Sequence, residues 1–132
     1  MSENFSIEIV NPEKSFLSED NVSEVVVPAF EGEIGILKDH ISIISFLKPG
    51  IIKVFSGSEE ENFFAEDGLV QFKDNSLSIL TSSIFNIKDA DKNYININIS
   101  EAEKELSSEE LDDQKRFLLN HKVEVLKSLN LN

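Results

Sequence analysis

Glu31-Gly-Glu-Ile-Gly-Ile-Leu-Lys-Asp-His40, running on as Ile41-Ser-Ile-Ile-Ser-Phe-Leu-Lys-Pro-Gly50, is the stretch that decides how this chain folds. Gly32 and Gly35 read as positions of turn geometry needing positive φ. They do not make a phosphate loop, because no Gly-Lys-Ser/Thr and no helix follow them. Asp39 beside His40 suggests a base and its orienter. Adjacent residues on an extended segment point to opposite faces, however, and no Cys or nucleophile motif accompanies them. A His that closes a turn and bonds to backbone is the structural alternative. Pro49-Gly50 then ends the apolar stretch.

Outward from that block the pattern stays extended. Phe5-Ser-Ile-Glu-Ile and Val22-Ser-Glu-Val-Val-Val alternate, and Asn11-Pro12, Gly57 and Gly68 punctuate the chain as far as residue 87. Lys73-Asp74-Asn75, between Leu69-Val-Gln-Phe and Leu77-Ser-Ile-Leu, reads as a tight hairpin, since Asp and Asn tolerate left-handed angles. Many short strands at close spacing imply a sandwich or barrel.

After Asp89 the character changes. Ser100-x-x-Glu103 and Ser107-x-x-Glu110 each fit a capping box, predicting a short helix and a longer one joined by Ser107-Ser108. Ile99, Ala102 and Leu106 would line the first. Leu111, Leu118, Val125 and Leu129, widened by Leu119 and Leu126, would line the second. The alternation of Tyr94-Ile-Asn-Ile-Asn-Ile99 reads as a strand-like linker before the first helix; a helix beginning at Asp89 is the alternative. The fold class is therefore mainly β with α, an N-terminal antiparallel β-sandwich over residues 1–88 followed by a C-terminal helical hairpin over 89–132.

Composition narrows the function. A chain of 132 residues, 40% hydrophobic, suffices for one β-domain and an appendage. No cysteine is present, which excludes disulfides, thiol catalysis and sulfur-ligated metal sites. With 25 acidic against 12 basic residues and a net charge of −13, the surface repels phosphate backbones and anionic lipid, so nucleic acid is not an expected partner. No apolar run nears the roughly 20 residues of a membrane span, and Met1-Ser-Glu-Asn-Phe is not signal-like, so direct membrane insertion is not expected. Glu59-Glu60-Glu61 and Asp112-Asp113 lack the ligand spacing of a calcium loop and read as solvated charge. These residues describe a protein that acts by binding. An enzyme using His40 with a distant carboxylate, or an acidic β-sandwich binding module of another kind, are the competing readings.

The order and spacing of Gly32, Gly35, His40, Leu47, Pro49 and Gly50, with Glu66-Asp-Gly-Leu-Val-Gln-Phe72 and Ser76-Leu-Ser-Ile-Leu-Thr81 after them, resemble the epsilon subunit family of rotary F-type ATP synthases. The resemblance covers about the first ninety residues well and the tail in layout only. It implies a non-catalytic, central-stalk rotor subunit linking the gamma subunit to the ring of c subunits for proton-driven ATP synthesis, with no cofactor. It places the protein peripherally on the cytoplasmic side of a bacterial inner membrane. It also implies partner contacts at Glu31, Glu33 and His40, with Glu33 and His40 on one loop facing the ring, and weak regulation of ATP hydrolysis by the C-terminal helices, whose basic residues meet acidic surfaces of the catalytic head in members that show it. Some members bind ATP through Ile/Leu-Asp-x-x-Arg-Ala. Here Ile99-Ser100-Glu101-Ala102-Glu103-Lys104 lacks both Asp and Arg, and Glu103 would repel phosphate, so no nucleotide site is expected.

Overall fold

Alternation of apolar and polar residues builds the strands. Residues 4–108 and 110–130 are described by a computed structural model. The strands are β1 (Phe5–Val10), β2 (Ser15–Val22), β3 (Glu24–Ala29), β4 (Gly32–Leu37), β5 (Ile43–Leu47), β6 (Gly50–Ser56), β7 (Glu59–Ala65), β8 (Gly68–Lys73), β9 (Ser76–Leu80) and β10 (Ile84–Asn86). The path runs β10-β7-β6-β3-β5-β8-β9-β1-β2, with β4 on the other edge of β3. β3 is where the two layers part: β6 pairs with Glu24 to Val26, and β5 pairs only at Ala29. β6, β7 and β10 continue one layer and β5, β8, β9, β1 and β2 the other, the arrangement of a sandwich or half-barrel. All pairs are antiparallel except β1 with β9, which runs parallel because β1 crosses over to the far side of the β8–β9 hairpin.

Cross-strand registers align the core into rows. Ile43, Phe72, Leu77 and Ile7 form one inward row, and Ser45, Val70, Ile79 and Ile9 the next. Val25, Val27, Ile36, Ile52, Val54 and Phe63 face them from the other layer, all essentially inaccessible. Edge-to-face pairs Phe5–Phe72 and Phe16–Phe63, with centroids 5.4 and 5.5 Å apart, lock the centre. Such packing resists deformation, because a close-packed core leaves few voids to collapse into.

The expected Lys73-Asp74-Asn75 hairpin is present. Asp74 and Asn75 take φ of 52° and 57°, the pair of left-handed residues that a tight hairpin joining twisted strands requires. Gly32 has φ of 141°, as expected of a turn glycine. Gly35 does not have positive φ. It lies within β4 opposite Val26, where a Cβ would come 3.5 Å from a Glu24 carboxylate oxygen.

The chain divides into two compact units, Met1–Asn86 and Ile87–Asn132. The second opens with a short 3₁₀ turn, Ile87–Asp89, and then holds α1 (Lys92–Leu106) and α2 (Asp113–Leu129) as an antiparallel hairpin. Tyr94–Ile99 is helical, not the expected strand-like linker. The Ile/Asn alternation hides an i, i+4, i+7 stripe: Ile95, Ile99 and Ala102 are buried, while Ile97 is left exposed. Neither expected capping box starts a helix. Asp91 caps α1 through the Tyr94 amide at 2.8 Å, and Asp112 caps α2 through the Lys115 amide at 2.7 Å. Ser100 is inside α1, and Ser107 ends it with its hydroxyl on the Lys104 carbonyl. Consequently Leu111 precedes α2, whose buried residues are Leu119, Val123 and Leu126, with Leu118, Val125 and Leu129 half-buried. Polar contacts join the helices: Asn130 donates to Asn96 at 2.6 Å, Lys127 pairs with Glu103 at 3.3 Å, and Arg116 donates to the Leu106 carbonyl at 3.0 Å.

Candidate functional site

The strand β4 separates the expected contact residues, of which it carries Glu33 alone. Glu31 is exposed in the β3–β4 turn, and Glu33 is exposed near the start of β4, opposite Pro28. His40 follows the other end of β4. At about 3.3 Å per residue, Glu33 and Leu37 are roughly 13 Å apart along the strand, and His40 is beyond Leu37. Glu31 and Glu33 therefore share one end of the sandwich and His40 belongs to the opposite end. No single flat surface meets all three.

His40 is half-buried and closes a turn. Its amide donates to the Leu37 carbonyl at 3.1 Å, and its ring stands edge-on to core Phe72, with centroids 6.0 Å apart. Nδ1 is 2.8 Å from the Ile41 carbonyl. A carbonyl only accepts, so this contact needs the proton on Nδ1. Asp39 is turned elsewhere, its carboxylate accepting from the Asn75 amide at 2.9 Å. Asp39 and His40 are thus not arranged as orienter and base. Among the described residues no group of three or more His, Cys, Asp or Glu converges as metal ligands would.

What the sequence reading missed is an apolar row on the outer face of β5, β8, β9 and β1. Phe46, Leu69, Leu80 and Val10 are successive register partners across these four strands. Phe46 is 69% exposed and Leu80 52%. Ile44, two residues back on β5, is exposed on the same face. Phe30 of the β3–β4 turn is exposed too, and its amide bonds to the Phe46 carbonyl at 2.9 Å. The row is thereby continuous with the end that bears Glu31 and Glu33. Its signal in the sequence was Ile43-Ile-Ser-Phe-Leu47, apolar on both faces of a strand whose inner side alone packs on the core.

Known proteins share this chain's sequence and fold. Residues 4–87 match the family described as ATP synthase, Delta/Epsilon chain, beta-sandwich domain. The chain is 65% identical over 130 residues to the ATP synthase epsilon chain of Pelagibacter ubique, covering 98% of this chain and 100% of that one. It is 34% identical over 119 residues to the ATP synthase epsilon chain of Rhizobium etli, covering 89% and 87%. A chain of the Euglena gracilis mitochondrial ATP synthase, in a structure of OSCP/F1/c-ring, superposes with a TM-score of 0.76 at 20% identity, covering 99% of this chain and 82% of that one. A chain of the Tetrahymena thermophila mitochondrial ATP synthase central stalk and c-ring gives 0.65 at 16% identity, covering 96% of each. At these identities the likeness to the solved structures is one of fold.

Proposed function

Since this chain belongs to the delta/epsilon family of ATP synthase subunits, we propose that it is a rotor subunit of the central stalk, joining gamma to the c-ring so that proton-driven rotation reaches the catalytic head. It is not a catalytic subunit. The observation that carries the assignment of surfaces is the row of exposed Ile44, Phe46 and Leu80 about half-buried Leu69 on a close-packed sandwich. An exposed face of this kind on a stiff body fits protein docking, and stiffness is what torque transfer requires. We assign the row to gamma. Glu31 and Glu33, acidic and at the end of the domain beyond Phe46, are assigned to the polar loops of the ring. His40, at the other end, is assigned to the gamma side, where exposed Leu37, Ile41 and Ile44 surround its loop.

No described helix is long and apolar enough to cross a membrane. The chain would be held peripherally, through the ring, on the cytoplasmic side of a bacterial inner membrane.

The hairpin is the part that this function needs least. From Glu101 to Asn132 it carries eight acids against five bases, so attraction to an acidic head surface is weak and further screened by salt. Lys115, Arg116, Lys122 and Lys127 are the residues through which it could still touch the head. Ending the chain at Ala90 is therefore expected to leave the β-domain folded, ATP synthesis coupled to proton flow, and ATP hydrolysis changed by less than about twofold. The measurement is synthesis and hydrolysis by the reassembled complex at matched salt and membrane potential. Loss of coupling would contradict the assignment of the rotor role to the sandwich. A several-fold rise in hydrolysis would show that the hairpin is a working brake.

A further inference from the structure

The β4–β5 connection combines an open apolar side chain with a tightly held backbone. Ile41 is 76% exposed, more than any other large apolar residue among those described. The two residues before it are fixed from several directions. The Asp39 amide donates to Asn75 Oδ1 at 2.7 Å, and Asn75 Nδ2 donates back to Asp39 Oδ1 at 2.9 Å. The His40 amide bonds to the Leu37 carbonyl at 3.1 Å, and His40 Nδ1 bonds to the carbonyl of Ile41 itself at 2.8 Å. Asp39 and Asn75 both hold left-handed backbone, with φ of 66° and 57°, a conformation that Asp and Asn tolerate better than other non-glycine residues. The Asn75 carbonyl also accepts from the Ser6 amide at 3.2 Å. One residue of the β8–β9 turn therefore ties that turn to β1 and to the β4–β5 loop.

A loop that merely connects β4 to β5 has no need of this. Its residues could relax into water, and Ile41 gains nothing by standing there. An apolar side chain held out on an immobilised backbone is what low-cost docking requires, because the ordering entropy is lost on folding and not on binding. Ile44 and Phe46, exposed on β5 just after this loop, belong to the row assigned above to gamma. We propose that Asn75 is a positioning residue that presents Ile41 as a preformed anchor for an apolar recess on gamma. This inference rests on the assignment of that row to gamma.

The test uses the full-length chain, purified gamma, and equilibrium affinities for a double-mutant cycle. Asn75→Ala should weaken binding about tenfold, as the fraction of chains with the loop correctly set falls. In an Ile41→Ala background the same change should alter affinity by less than about twofold, because Asn75 acts only through Ile41. Asn75→Asp alone should weaken binding by setting two carboxylates face to face. Adding Asp39→Asn should bring affinity back within about twofold, since an amide and a carboxylate again oppose one another. The exchanged pair keeps both partners' shape, so it remains informative even if Asn75→Ala does not fold. Equal effects of Asn75→Ala with and without Ile41, or no recovery in the exchanged pair, overturn the proposal. A Phe46→Glu control separates the two layers of argument. If Phe46→Glu weakens binding and the Asn75 and Ile41 variants do not, this inference fails and the docking face stands. If Phe46→Glu leaves binding unchanged, the docking face itself is misassigned.

Discussion

Phe46→Glu combined with Leu80→Glu is expected to lower the affinity for gamma by at least about a hundredfold while leaving the β-domain folded. Both side chains stand mostly in water, 69% and 52% exposed, so neither contributes much to the core. At a gamma interface they would be buried beside Leu69, which pairs with both. Large apolar residues at the centre of an interface commonly cost about 2 kcal/mol or more when truncated, and glutamate adds the desolvation of a charge. Two such positions exceed the roughly 2.8 kcal/mol that a hundredfold represents. Thermal unfolding supplies the check on folding. A double variant that melts like the parent and still binds gamma with parental affinity would remove the apolar row from the account.

Gly68→Ala is expected to be among the most damaging single changes in the sandwich, costing about 3–5 kcal/mol, a large fraction of the roughly 5–15 kcal/mol that holds an ordinary domain together. Gly68 opens β8 with φ of 154°, and a Cβ there would come within 2.3 Å of the Leu80 carbonyl oxygen. That oxygen belongs to backbone and has nowhere to go without breaking the β8–β9 pairing at Leu69 and Leu80. Gly57 provides the contrast. It also has positive φ, 62°, but nothing lies within 4 Å of where its Cβ would be. Gly57→Ala should therefore cost only the left-handed penalty, roughly 1–2 kcal/mol. Denaturant midpoints of the two variants measure the difference, and equal losses would show that the close approach at Gly68 is not what matters.

The sandwich was legible because its signals are local and agree with one another. Inward rows such as Phe72, Leu77 and Ile7 come from period-two alternation, and Asp74-Asn75 can hardly be anything but a tight turn. The parallel β1–β9 pair was not legible, since which strands become neighbours depends on closure of the whole sheet. In the tail, two periods coincided. Ile95, Ile97 and Ile99 alternate, yet Ile95 and Ile99 are also one helical turn apart, and only the continuation to Ala102 decides between them. The caps failed for a related reason. Ser100 and Ser107 match the capping pattern, but the residues with the extended backbone of a cap are Asp91 and Asp112.

The contact residues show the same division. Glu33 and His40 are seven positions apart in sequence and look like one loop, but most of β4 runs between them. The apolar face was hidden because an exposed Phe46 and a buried Leu47 are equally apolar on paper, and register alone assigns their sides. Asn75 was legible as a turn residue only. Its bonds to Asp39 span 36 positions and exist only once β4, β8 and β9 are in place.

The central claim is that an outer face and the adjoining end of one rigid domain hold different partners, and the absence of cysteine from the chain makes it directly testable. Single Glu33→Cys and Leu80→Cys variants, each labelled with a short photoactivated crosslinker and reassembled into the complete complex, report what lies against each position. The account predicts that Glu33→Cys captures the c subunit and Leu80→Cys captures gamma. Capture of gamma from Glu33→Cys with none of the c subunit, or capture of only catalytic-head subunits from both positions, would contradict it.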